Sequence, residues 1–292
     1  MNSKTIRFVF FGTPELATVV LDELASADLV PSAIVTAPDE KKGRGLKLSP
    51  PPVKIWALEH TIPVFQPERL DSHILENVRM FKADVFVVVA YGKILPKEIL
   101  ESPKKGILNV HPSLLPRLRG ASPIRSAILN DEKKTGVSVI LLDEEMDHGP
   151  IVAQKPATVP DWPPRAHGLE HHLMHEGGKL LAQILPLWVS GQIEAREQNH
   201  DIATYCEKIE KEDGHLDLSA DPYKNLLKIR AYEGWPGTFA YFERAGKKIR
   251  VGIVDAHLEG DDLVLDTVKP EGKKEMPYAD FLRSGAIVLG RP

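Results

Sequence analysis

Short apolar runs recur along the first two-thirds of the chain, each closed by a polar or glycine-containing break. Ile6–Phe11 stops at Gly12, and Val30–Val35, Asp84–Ala90, Gly106–Val110 and Gly136–Leu142 repeat the pattern. Runs this short and continuous predict strands buried on both faces. Helical spacing appears between them. Leu16, Val19, Val20 and Leu24 form one stripe, with Thr13 offered as cap, Pro14 at the first helical position and Glu15 in the first turn. Strands alternating with helices predict an α/β domain built on an open, mostly parallel sheet. A longer helix is predicted over His167–Val189, loosened by Gly177-Gly178 and Pro186. From Tyr205 the texture changes to short strands and turns, Gly237–Phe242, Lys248–Val254 and Leu263–Thr267, with a helix near Asp221–Arg230. That pattern predicts a small β-barrel. The expected organisation is a catalytic domain over 1–190, a polar linker over 191–204 and a second domain over 205–292.

Composition narrows the field. With 292 residues and a formal net charge of −4, the chain does not advertise nucleic acid by overall charge. Residues 206–292 hold 14 Lys and Arg against 16 Asp and Glu, so the second domain is not basic as a whole either. One cysteine, Cys206, excludes an internal disulfide and fits a reducing cytoplasm. No apolar stretch approaches the roughly 20 residues of a membrane helix. A cytoplasmic protein acting away from membranes is expected.

Several cofactor signatures are missing. The first strand-to-helix turn has only Gly12, too few glycines for a dinucleotide fingerprint. Neither a phosphate loop nor a Gly-x-Ser-x-Gly elbow occurs. His167, His171 and His175 recur every fourth residue, but no cysteine or placed carboxylate completes a set, and they read as structural; no metal is expected. Asp39–Pro52 carries Lys41, Lys42, Arg44 and Lys47 among two glycines and ends in three prolines. It reads as an irregular, mobile cationic loop, either a solvated insertion or an arm for phosphates.

The candidate chemistry lies in residues 106–149. On a strand, Asn109 and His111 face the same way, and Pro112 biases His111 toward extended geometry. Asp147 follows the next apolar run. An amide donor and an imidazole suit an oxyanion formed in acyl transfer. A carboxylate beside an imidazole stabilises its charged form and fixes its tautomer, the part open to Asp147. Without a Ser or Cys nucleophile, an amine acceptor would attack directly. Taken singly, each of these residues reads more readily as a strand end or turn cap than as a catalyst; together, at the carboxyl ends of parallel strands, they form a candidate site.

The run Asn109-Val110-His111-Pro112-Ser113-Leu114-Leu115-Pro116, followed by Arg119-Gly120 and by Asp147-x-Gly149, resembles the folate-dependent formyltransferases. The resemblance implies that Asn109, His111 and Asp147 are the catalytic trio. It also implies that Ser113, Leu114, Leu115 and Pro116 line a folate site, and that Val89 and Tyr91, within VVVAYGKILP, belong to the same pocket. Further stretches, FFGTPELA, GRGLKLSPPPVK, KIEKEDGHLDLS, RAYEGWPGTFAYF and PEGKKEMPYADFLRSGAIVLG, resemble the branch of the family that serves translation initiation. That branch implies a Rossmann-like sheet followed by an OB-like barrel, 10-formyltetrahydrofolate as formyl donor, and initiator methionyl-tRNA as acceptor. In it, Lys41, Lys42, Arg44 and Lys47 become candidate tRNA contacts, and the enzyme is expected to act as a monomer. Pro112 and His148 stand where that branch more often has Ala and Thr. A small-amine formyltransferase would keep the trio and the folate pocket but need neither the basic loop nor the second domain. A hydrolase of the formyl donor would put water in place of the amine, and a decayed binding module would have no use for an intact trio.

Overall fold

Seven strands, Phe8–Gly12 (β1), Ala33–Val35 (β2), Val64–Phe65 (β3), Val85–Val89 (β4), Ile107–His111 (β5), Thr135–Leu141 (β6) and Ile151–Ala157 (β7), share one sheet in the order β7-β6-β5-β4-β1-β2-β3. The central strands β1 and β4 are buried at every position, as their unbroken apolar runs require. Strands β1 to β5 are mutually parallel, while β6 runs antiparallel to β5 and β7 to β6. The mostly parallel sheet read from the sequence is therefore present, with an antiparallel edge beside β5. This computed structural model describes residues 6–42 and 46–288. They divide into two units, one comprising residues up to Arg119, Thr135–Thr158 and Glu170–Tyr205, the other Gly120–Lys134, Val159–Leu169 and the chain from Cys206 on.

In the first unit, helix Ser72–Arg79 covers one face of the sheet, burying Ile74, Leu75 and Val78 with Val9, Phe11, Phe86 and Val88. The helix Ala166–Val189 is continuous through Gly177, Gly178 and Pro186, which corrects the expected loosening. The glycines are points of close approach instead. A Cβ on Gly177 would stand 2.6 Å from Val110 Cγ1, and one on Gly178 2.8 Å from Glu23 Cβ. Val110 thus faces this helix. Its neighbours Asn109 and His111, by the alternation of a strand, face the other side of the sheet.

Two further local expectations are corrected. Thr13 does not cap the first helix, which spans Glu15–Ser26 and has Pro14 at its cap position without a side-chain hydrogen bond. Instead the Thr13 hydroxyl donates to Tyr91 O (3.4 Å) and accepts from Ala37 N–H (3.4 Å). It thereby ties together the loops that follow β1, β2 and β4. The stretch read as an irregular loop contains an antiparallel hairpin, Glu40–Lys42 with Lys47–Ser49. The alternation Leu46-Lys47-Leu48-Ser49 is a strand signal that the surrounding charge obscured. At its foot Asp39 accepts from Lys54 Nζ (2.8 and 2.9 Å) and Gln66 Nε2 (2.7 Å). Those bonds, Lys54 foremost, hold the Asp39 carboxyl below its ordinary range.

In the second unit, Thr238–Arg244 (β8), Lys247–Glu259 (β9), Asp262–Pro270 (β10), Met276–Pro277 (β11) and Ala286–Val288 (β12) form an antiparallel sheet in the order β11-β10-β9-β8-β12. Register shifts around Asp255 bend β9 and curl the sheet. Phe242, Val251, Ile253, Val268 and Phe281 pack inside it with Leu226 and Ile229 of helix Pro222–Ala231. Asp221 caps that helix by accepting from Lys224 N–H at 2.8 Å. The same unit includes helix Pro123–Leu129, and Asp131 just beyond it accepts from Tyr223 Oη (2.9 Å) and Trp162 Nε1 (2.6 Å).

The helix contacts give a paired prediction. Helix propensity alone makes Gly→Ala stabilising by about 0.8–1 kcal/mol. Gly168→Ala, with nothing within 4 Å of the added carbon, is expected to follow that rule in urea denaturation. Gly177→Ala is expected to reverse it and destabilise by about 1–3 kcal/mol, the range for overpacking. Stabilisation by both would show that Gly177 is not a contact point.

Candidate active site

His111 ends β5 and is buried, 4% exposed. Its Nε2 lies 3.0 Å from Leu118 O, and its Nδ1 lies 3.5 Å from Asp147 Oδ2. A nitrogen lone pair would be repelled at 3.0 Å from a carbonyl oxygen, so Nε2 is the N–H donor. Leu118, more than the carboxylate, therefore sets the tautomer. Asn109 shares His111's face but is only half-buried, and its carboxamide makes no hydrogen bond among the described residues. The structure brings His111 and Asp147 together, and Asn109 shares the face of β5 that His111 occupies. Because β6 is antiparallel to β5, Asp147 comes from the connection 142–150 between β6 and β7, not from a parallel strand end.

The segment after His111 is held by a buried hydroxyl. Ser138, in the middle of β6, donates to Ser113 O (2.6 Å) and accepts from Leu115 N–H (3.1 Å). Gln154 Nε2 on β7 donates to Leu115 O (2.6 Å) and to Ser138 Oγ (2.9 Å). Ser113 is itself buried and donates its hydroxyl to Arg117 O at 2.6 Å. Leu115 is buried, whereas Leu114 and Pro116 are half-buried. Ser138 was readable in the sequence as the one polar side chain inside the apolar run Gly136–Leu142, and a buried hydroxyl needs partners. Gln154 gave no comparable signal.

Val89 and Tyr91 lie in the core of the sheet, 0% and 4% exposed. Tyr91 packs edge-on against Phe11, with ring centroids 5.6 Å apart. Burial pushes its phenol up to about 12, so the side chain is a neutral filler at ordinary pH. What this loop presents to solvent is Ala90, Gly92 and, strongly, Ile94. Lys93 is turned aside, donating to Pro67 O and Glu68 O at 2.9 Å each. Of the cationic residues, Lys41 and Lys47 are exposed on the hairpin beside Leu46 and Leu48, each 66% exposed. Lys42 is paired in the hairpin backbone opposite Lys47, and Arg44 lies outside the described residues.

Sequence reasoning missed the residues that hold the trio's surroundings. Thr204 Oγ1 accepts from Leu118 N–H (2.8 Å), and Thr204 O accepts from Arg119 N–H (2.9 Å). Gln198, buried within the stretch read as a linker, donates through Nε2 to Asp147 O and Gly149 O, both at 2.8 Å. Arg119 is 1% exposed and donates to Gln198 Oε1 from Nε (3.1 Å) and Nη2 (2.7 Å). These partners are far apart in the chain and follow no periodicity that could have announced them.

Comparison with known proteins bears on what this site does. A family model described as formyl transferase matches residues 5–185. A methionyl-tRNA formyltransferase of Chloroflexus aurantiacus is 43% identical over 84% of this chain and 79% of its own length. One from Myxococcus xanthus is 39% identical over 97% of this chain and 96% of its own. Among solved structures, a methionyl-tRNA formyltransferase from Clostridium thermocellum shares the fold, with a TM-score of 0.60 at 17% identity, across 91% of this chain and 98% of that one.

The Ser138 network makes a prediction about stability. Ser138→Ala leaves the Leu115 N–H and Ser113 carbonyl buried without this partner, at about 1–3 kcal/mol for a buried unsatisfied group. Urea denaturation should show a loss in that range. A change below about 0.5 kcal/mol, the low end for a single hydrogen bond, would mean the 113–116 segment is held without it.

Proposed function

Because this chain belongs to the formyl transferase family, we propose that it transfers the formyl group of 10-formyltetrahydrofolate to the amino group of methionine on initiator methionyl-tRNA. The observation that carries this reading is the His111–Asp147 pair, with the uncommitted Asn109 carboxamide on the same strand face as His111. Near-full-length relatives named methionyl-tRNA formyltransferase point the same way. The donor is a substrate. Its formyl carbon accepts the amine, the bond to the folate nitrogen breaks, and one proton passes from the amine to that leaving nitrogen. Asn109 donates its N–H to the formyl oxygen as charge builds there. His111, with Asp147 to balance its charged form, relays the proton directly or through a water. The amine attacks directly, and no covalent enzyme intermediate forms.

The 113–116 segment and the loop bearing Gly92 and Ile94 form the folate wall in this reading. Buried Val89 and Tyr91 support that wall from beneath. The acceptor is recognised elsewhere. Lys41, Lys42 and Lys47 contact tRNA phosphates from the hairpin, whose exposed leucines leave it a mixed cationic and apolar surface, and Arg44 is a further candidate contact. The domain over 205–292 is not basic overall, yet it gathers cations locally. Lys248 lies 3.9 Å from the Tyr241 ring centroid and Arg250 3.8 Å from that of Phe239. RNA needs only such a path on one face.

Asn109→Ala, His111→Ala and Asp147→Ala are each expected to lower kcat for methionyl-tRNA formylation by about 10²–10³. Near-wild-type turnover would remove that residue from the reaction. Replacing Lys41 and Lys47 with Ala should raise KM for tRNA, leave KM for the folate unchanged, and flatten the salt dependence by about one logarithmic unit of slope per lost phosphate contact. Equal loss for both substrates would make the hairpin structural.

A further inference from the structure

We propose that Gln198 is a positioning residue that acts on the reaction through Asp147; the inference rests on the catalytic reading of Asp147 above. The amide orientation follows from its partners. Arg119 can only donate, so the oxygen it contacts must be Oε1. That leaves Nε2 facing Asp147 O and Gly149 O, where an amide can only donate. All four capacities of the carboxamide are used, and a flipped amide would turn every one of these contacts repulsive.

The grip extends over three consecutive residues. Between the two clamped carbonyls, the His148 ring stacks on His200 at 4.2 Å and 11°, and its Nδ1 contacts Asp143 Oδ2 at 2.7 Å. His200 Nδ1 accepts from Arg119 Nη2 at 2.8 Å. Arg119 thus braces both Gln198 and His200, which in turn hold residues 147–149. Asp147 needs such a hold. Its φ is +51°, a left-handed conformation that is less common than right-handed or extended backbone even for Asp and is held here by the clamped carbonyl. Released, the backbone would relax toward commoner angles and swing the carboxylate from Nδ1 of His111. The same strap, residues 198–204, also pins Leu118 through Thr204. It therefore steadies both oxygen partners of the imidazole.

The test is a double-mutant cycle on the full chain. Gln198→Glu keeps acceptors for Arg119 but replaces the N–H donor with an oxygen that repels the two carbonyls, so it breaks the hold on the Asp147–Gly149 side. Expected is a fall in kcat of about 10–100-fold, the scale of small misplacements, with both KM values within about twofold. In an Asp147→Asn background, assayed at enzyme concentrations that reveal residual transfer, Gln198→Glu should cost less than about twofold, because coupled residues are not additive. Equal fold-losses in the two backgrounds, or wild-type kcat in Gln198→Glu, would overturn the proposal. If Asp147→Asn alone turns over like wild type, it is the catalytic reading of Asp147 that fails, with Gln198 falling as its dependent. Should Gln198→Glu not fold, Gln198→Met enters the same cycle and is decided by the same two outcomes.

Discussion

The His111 ring has a carbonyl oxygen 3.0 Å from one nitrogen and a carboxylate oxygen 3.5 Å from the other, in a site where water scarcely reaches it. A buried polar ring of this kind costs stability unless both contacts are kept. Much of the surrounding irregular structure can be understood as meeting that condition. Leu118 turns its carbonyl inward from a left-handed backbone position, φ +57°, with its own N–H bonded to Thr204. Asp147 occupies a second left-handed position, clamped through its carbonyl by Gln198.

The sheet explains why the site lies where it does. Helix Ala166–Val189 presses Gly177 against Val110 and so commits one face of β5 to the core. The opposite face is left for Asn109 and His111. At this strand the parallel sheet gives way to an antiparallel edge, and the turn back from β6 to β7 supplies a connection long enough to deliver Asp147. Ser138, from the same edge, holds the 113–116 segment by accepting one main-chain N–H and donating to one main-chain carbonyl. A rigid sheet thus carries the amide and imidazole, while polar clamps bring the remaining groups to them.

Much of this was legible in the sequence because it depends on periodicity. The continuous apolar runs announced β1 and β4, and the period of two put Asn109 and His111 on one face. Elements whose role depends on distant polar partners were not legible. Thr13 looked like a cap because its neighbours suit a helix start, but its hydroxyl serves Tyr91 and Ala37 across the sheet. Residues 191–204 looked like linker because polar residues without periodicity usually are; Gln198 and Thr204 are buried or bonded by what they clamp. The hairpin that pairs Glu40–Lys42 with Lys47–Ser49 was hidden by its charge. His148, a departure from the resembling sequences, finds its reason in the stack with His200.

Family membership and geometry converge on formyl transfer, and the acceptor is the most specific part of the account. The most direct measurement supplies the wild-type enzyme with 10-formyltetrahydrofolate and, in parallel, charged initiator tRNA, charged elongator methionyl-tRNA, free methionine and an amino-sugar nucleotide, following formyl incorporation into each. The account predicts rapid formylation of methionyl initiator tRNA, with the elongator form and the small amines far behind. Faster transfer to a small amine, or release of formate with no acceptor modified, would contradict it.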